Sequence, residues 1–254
     1  MLTFASVYSG IGGMDCGFVR AGWKPLWQCE ADPFRRLSTR RRFGEAVLPT
    51  VANAVCRAHT PLSLPTPDVL YGELPDSRLS VWWPDLHALA RALRPRRLVV
   101  EFSPTVRCEP VLRDLALTDW AFRLVYLKTT IRNGPDQADG DGRDRAFVFA
   151  SRVPADVDRI GLSANYAILE ARKPAPGAAR GTPEWHAETR DLPARWVCAC
   201  PSHRQACACD PQARIDAVQD GGAPLTGEWV ATLVDGRWQD GRERGVTRAD
   251  GGMA

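Results

Sequence analysis

Residues 2–30 read LTFASVYSGIGGMDCGFVRAGWKPLWQCE, and this stretch decides the fold. The apolar run LTFASVY suits a buried strand, and SGIGG is a turn in which glycine supplies backbone conformations that other residues resist. The spacing then predicts a helix from Met14 to about Ala21 and a second strand over KPLWQCE, ending on Glu30. A strand, a glycine turn and a helix place Gly10, Gly12 and Gly13 where a nucleotide-like ligand meets a sheet. The helix N-terminus there favours an anionic group. Glu30, at the end of the next strand, is placed to accept hydrogen bonds from ribose hydroxyls. A structural turn beside a solvated acid would leave the same trace in sequence.

Outward from this core the alternation continues. A basic helix is predicted from Pro33 to about Arg42, then a strand at PDVLYG, a helix at DLHALARAL and a buried strand at RRLVVEF. A helix at CEPVLRDLAL and strands at AFRLVYLKT and RAFVFAS follow. Such alternation predicts an α/β fold, with a parallel-dominated sheet and helices on both faces. Residues 132–145 are rich in glycine and aspartate and read as a loop. Between Val153 and about Thr189 the periodicity weakens, and KPAPGAARGTP reads as an exposed linker. A last helix is expected from Pro224 to Val234, and the Gly- and Arg-rich tail, 239–254, is expected to be disordered.

Composition narrows the class. The chain has 254 residues, 44% hydrophobic and 25% charged, enough for one large domain or one with an appendage. Its net charge is only +3, which leaves room for a local basic cleft without demanding one. Of 33 basic residues only Lys24, Lys128 and Lys173 are lysine, a bias expected of a GC-rich genome. No apolar run is long enough to span a membrane, and the opening residues lack a signal-peptide pattern. A cytoplasmic protein with no membrane partner is the expectation.

The opening stretch resembles the start of the cytosine-5 DNA methyltransferases, especially compact phage and bacterial ones. WWPDLHALARALRPRRLVVEFSP is similar to the family's helix, its Arg-Pro and the strand that carries its Glu-Asn-Val motif. GRDRAFVFAS resembles the Arg-x-Arg strand, and ETRDLPARWV and RIDAVQDGGAPLTGEWVATL resemble the two late motifs. The resemblance implies a Rossmann-like, class I S-adenosylmethionine-dependent methyltransferase fold with a small irregular recognition region. It also implies the boundaries: a catalytic-type domain at 1–152, a reduced target-recognition region at 153–190, and a cysteine cluster with a return to the first domain at 191–238. By that likeness Tyr8, Gly10, Ile11, Gly12, Gly13 and Glu30 line a site for S-adenosylmethionine. Glu101 holds the edge of a flipped DNA base, with Arg143 and Arg145 near base and backbone, and a structural ion pair among these residues is the alternative.

One departure is decisive. The family's Gly-Gly-Phe-Pro-Cys motif becomes Gly72-Glu73-Leu74-Pro75-Asp76, so the nucleophilic cysteine is replaced by Asp76. A carboxylate is a far weaker carbon nucleophile than a thiolate. Glu-Asn-Val has likewise become Glu101-Phe102-Ser103, and Ala31 stands where an aromatic often follows the ribose-binding acid. These changes leave three expectations, of which a related modification chemistry on an already altered base is the third beside the two that follow. One is a divergent enzyme acting on a DNA base by chemistry that needs no thiolate, with Asp76, Glu101, Arg143 and Arg145 as the catalytic set. The other is a catalytically inactive homologue acting as a DNA-binding, partner or regulatory subunit for another methyltransferase or a phage modification protein.

Eight cysteines complete the reading, and four of them, Cys198, Cys200, Cys207 and Cys209, crowd together around His203. Four thiolates satisfy tetrahedral Zn2+, and four such ligands leave no open position for catalysis. A structural zinc knot is the expectation, with unligated thiols and reversible disulfides as its alternatives.

Overall fold

Alternation along the strands sorts the apolar residues onto two faces of one sheet, and each face is covered by its own helices. The computed structural model describes residues 1–44, 47–51, 54, 64–74, 79–132, 144–160, 166–172, 182–183, 211–220 and 224–236. The chain runs β1 (Thr3–Val7), α1 (Gly13–Arg20), β2 (Lys24–Cys29), α2 (Pro33–Phe43), β3 (Val47–Leu48), β4 (Val69–Glu73), α3 (Leu79–Leu93) and β5 (Arg97–Phe102). It continues with α4 (Glu109–Ala116), β6 (Ala121–Arg132), β7 (Asp144–Ser151), α5 (Pro154–Asp158), β8 (Tyr166–Arg172), α6 (Pro211–Asp220) and α7 (Pro224–Val234). The eight strands lie in the order β3-β2-β1-β4-β5-β7-β6-β8. β7 is antiparallel to both of its neighbours, and the remaining pairs are parallel.

On β4 and β5 the sorting is clear. Leu70, Leu98, Val100 and Phe102 join the core beneath α3 and α4, while Val69, Tyr71 and Val99 join the core that holds Phe18 of α1 and Trp229 of α7. Local signals set the helix ends. α2 begins where Asp32 accepts the Arg35 N–H at 2.8 Å, with Pro33 in the first turn, where a missing N–H costs nothing.

Two expectations are corrected. The helix placed at DLHALARAL begins earlier, at Leu79, and carries Pro84 inside it. Its buried stripe starts with Leu79 and Trp83, and burying that stripe outweighs the one backbone bond proline removes. Residues 166–172, expected to be irregular, form an edge strand parallel to β6. Asp76, Arg143, Cys198, Cys200, Cys207 and Cys209 lie outside the described residues. Among the described residues no helix is long and apolar enough to cross a membrane.

Candidate functional site

Parallel pairing brings the ends of four strands to one edge. Val7 lies beside Cys29 and Gly72, and Glu73 lies beside Glu101, so the glycine turn, Glu30 and Glu101 all emerge on the same side of the sheet. Glu101 pairs with Phe147 across the antiparallel ladder, which starts β7 and its Arg145 at that edge too.

The turn is held from every side. Tyr8, Gly10 and Gly12 have positive φ of 59°, 57° and 79°, folding the backbone back on itself before α1 begins. Glu30 braces it, with Oε2 accepting the Gly10 N–H at 2.7 Å and Oε1 accepting the Asp32 N–H at 2.8 Å. Burial raises the Glu30 carboxyl above its ordinary range, and these two backbone bonds oppose the shift. From α2, Thr39 donates to the Gly10 carbonyl at 2.9 Å and Arg42 donates to the Ile11 carbonyl. A Cβ on Gly12 would sit 2.8 Å from the Phe43 ring. Tyr8 packs edge-on against Trp82 and donates to its carbonyl at 3.3 Å, tying the turn to α3. Ile11 and the turn glycines are buried.

Directly behind the turn, Asp15 accepts from Ser6 at 2.9 Å through one oxygen, while its buried Oδ1 has no hydrogen-bond partner among the described residues. Burial pushes its carboxyl up to about 7. This acid was not singled out from sequence, where it reads as an ordinary first-turn residue favoured by the helix dipole.

At the other part of the edge Glu101 is fully buried, with Arg145 Nε 3.2 Å from its Oε1. Arg145 also lies 3.7 Å from Glu73, and the Tyr71 hydroxyl donates to Glu101 Oε2. The structure brings Glu101 and Arg145 together as a buried ion pair. It adds Tyr71 and Glu73, which sequence reasoning missed. Glu73 had a visible signal, since it stands where the motif carries a glycine.

A separate cavity of about 410 Å³, lined by Arg91, Arg94, Asp119, Trp120 and Arg152 among others, lies at the opposite end of the sheet. Helices α3 and α4 both end there, and arginines at helix C-termini offset the carbonyl dipoles. Asp119 is paired with Arg152 and lies 3.8 Å from Arg94. That cavity is remote from the glycine turn. Among the described residues no group of three or more His, Cys, Asp or Glu side chains is placed to hold a metal ion.

Neither a family model nor a curated relative matches the sequence. Solved structures do match. An E. coli protein described as a putative DNA modification methyltransferase encoded within a prophage aligns with a TM-score of 0.63 at 11% identity, covering 92% of this chain and 99% of that one. The Entamoeba histolytica methyltransferase EhMeth aligns at 0.59 and 10% identity, covering 94% and 99%. The S. pombe Dnmt2 methyltransferase aligns at 0.56 and 10%, covering 92% and 99%. The chain has the Rossmann-like methyltransferase fold. In such a fold ligands gather where the parallel strands end, and that is the edge at which the glycine turn, Glu30, Glu101 and Arg145 meet in this chain.

Proposed function

We propose that this chain is a divergent member of the cytosine-5 DNA methyltransferase family that binds S-adenosylmethionine and DNA and modifies a base without a thiolate nucleophile. The observation that carries this reading is the buried Glu101–Arg145 pair, 3.2 Å apart, on the same sheet edge as the glycine turn. The turn fits the cofactor, because its inverted backbone opens on the N-terminus of α1 beside a buried carboxylate. Tyr8, Gly10, Ile11, Gly12, Gly13 and Glu30 would hold S-adenosylmethionine. Each Glu30 oxygen keeps a lone pair for a ribose hydroxyl after serving the backbone. S-adenosylmethionine, when bound, supplies an electrophilic methyl group. Glu101 and Arg145, with Arg143, orient the base, and Asp76 accepts the proton that an exocyclic amine releases. Residues 153–190 serve as a reduced target-recognition region in this reading.

Purified protein, incubated with methyl-labelled S-adenosylmethionine and DNA, tests the proposal. Weak cofactor binding, visible by calorimetry at millimolar ligand, is expected, with label on an exocyclic nitrogen. No 5-methylcytosine and no covalent adduct with 5-fluorocytosine DNA should form. Unaided synthesis of 5-methylcytosine would overturn the role given to Asp76.

A second reading is favoured by one observation: both Glu30 oxygens already accept N–H groups of the protein itself. The chain is then a catalytically inactive DNA-binding or regulatory partner of an active methyltransferase. Absence of any heat with cofactor or its demethylated product would select that reading.

Cys198, Cys200, Cys207 and Cys209 are proposed to hold one structural Zn2+, a donor set that suits tetrahedral coordination. Elemental analysis of chelator-free protein should find about one zinc per chain. Cys207→Ala should lower both metal content and melting temperature. Metal-free protein with an unchanged melting temperature would refute the site.

A further inference from the structure

At the C-terminal end of α3, far from the glycine turn, the fold builds a cavity that the base-modifying reading leaves unused. Its volume, about 410 Å³, lies within the range of small-molecule sites, roughly 300–1,000 Å³, and exceeds what a bare ion fills. Arg91 comes from the last turn of α3, and Arg94 follows its end, with its N–H donating to the Ala90 carbonyl at 3.0 Å. Asp119 and Trp120 lead into β6, and Arg152 leaves β7. Ala88 and Ala92 stand one turn apart on α3 and leave that wall open, since neither carries atoms beyond Cβ.

Among the described residues the lining sets three guanidinium groups against the single carboxylate of Asp119. Two of them converge on one atom. Arg152 donates to Asp119 Oδ2, and Arg94 Nη2 lies 3.8 Å from the same oxygen. Asp119 thus holds this pair at a spacing that a compact oxyanion spans, yet it offsets only one positive charge of the three. Two further donors border the cavity. The Trp120 indole N–H and the Arg152 Nε–H are buried and have no acceptor among the described residues, and Trp120 as a whole is only 5% exposed. The Arg152 guanidinium lies 4.4 Å over the Trp120 ring, which fixes its orientation. Orphaned donors of this kind cost free energy that an incoming oxygen acceptor recovers.

The backbone gives the same indication. Arg94 has φ of 52°, the left-handed conformation at a helix end that glycine adopts without strain. An arginine there sacrifices stability and sets a guanidinium at the cavity.

We propose that this cavity binds a small organic phosphomonoester. The two positive charges left over after Asp119 match a phosphomonoester dianion. Its terminal oxygens accept from several directions, as donors on α3, before β6 and after β7 require, whereas a carboxylate accepts in one plane. Free metabolites and the phosphorylated end of a nucleic-acid strand share this group. The site is independent of the base-modifying reading, because among the described residues its lining includes none from the glycine turn or beside Glu101.

Calorimetry on the full chain, with glycerol phosphate as the probe, tests the proposal. Wild-type protein should bind it at millimolar ligand. Arg91→Gln, at an exposed helix position, should weaken binding about tenfold or more, the loss of one charge-assisted contact. Arg94→Gly should weaken binding by a similar factor while raising the urea midpoint, because glycine accepts the left-handed backbone. A lowered midpoint with binding intact would make Arg94 structural and overturn its part in the site. Absence of wild-type binding, unchanged affinity in both variants, or equal affinity for succinate overturns the phosphomonoester site. Inorganic phosphate bound as tightly as glycerol phosphate overturns the organic ligand. Oligonucleotides ending in a phosphate or a hydroxyl separate the two sources. A phosphate-dependent gain over glycerol phosphate assigns the site to a strand end, and no gain assigns it to a free metabolite.

Discussion

Gly17→Ala should destabilise the protein by about 3 kcal/mol or more, although glycine to alanine inside a helix ordinarily stabilises by up to about 1 kcal/mol. The reversal of sign comes from a backbone contact. A Cβ on Gly17 would stand 2.1 Å from the Pro224 carbonyl oxygen and 2.7 Å from the Glu228 nitrogen, and neither atom can yield unless α7 moves away from α1. Gly227→Ala meets the same crossing from the other side, with its Cβ 2.4 Å from the Met14 carbonyl oxygen. Chemical denaturation should show both variants shifted to lower midpoints. The double variant should lose less than the sum, because once the helices part the second methyl has nothing to strike. A Gly17→Ala protein more stable than wild type would show that the helices are not so closely packed.

The second large effect belongs to Asp15. Its carboxyl moves from an ordinary 3.8 to about 7, chiefly through burial, with the Ser6 hydrogen bond and Arg42 opposing the rise. A raised folded-state value means that the folded protein binds the proton more tightly than the unfolded chain. The stabilisation is complete below about pH 4 and is lost progressively as pH rises to about 7, beyond which this group changes nothing further. Asp15→Asn removes the titration. Its advantage over wild type should be near zero at pH 4 and grow to a plateau above pH 7, at most about 4 kcal/mol for a carboxyl raised from 3.8 to about 7. Urea melts of both proteins from pH 4 to 8 measure this directly. The difference between the two proteins is the quantity to follow, because Asp114 and Asp156 shift in the opposite direction and cancel in the comparison. A difference that stays flat across this range would show that Asp15 is not ionising in a buried environment.

The parts of the molecule that sequence reveals are those governed by short-range pattern. The β1–turn–α1–β2 unit is legible because its alternation, its glycines and Glu30 all lie within one contiguous stretch. Glu101 and Arg145 were readable as motif residues, and the register of β5 against β7 places them side by side. Tyr71 could not be found in this way. Its importance arises from an interstrand contact with a residue 30 positions later, and a tyrosine in an apolar strand otherwise reads as core. The Gly17–Gly227 crossing is invisible for the same reason. β8 was missed for another. Its sequence, YAILEAR, is rich in helix formers, and it becomes a strand because it lies along β6, a tertiary demand that overrides local propensity.

The crossing of α1 by α7 also bears on how the chain is made. Arg20 and Glu228, which bridge the two helices, are 208 positions apart. At roughly 5–20 residues per second of synthesis, the first helix leaves the ribosome some tens of seconds before the helix that covers it. Throughout that interval Met14 and Phe18, both buried in the finished protein, have no Trp229 or Val230 to rest against. A nascent chain stalled before residue 224 therefore exposes the apolar face of α1 to chaperones and proteases.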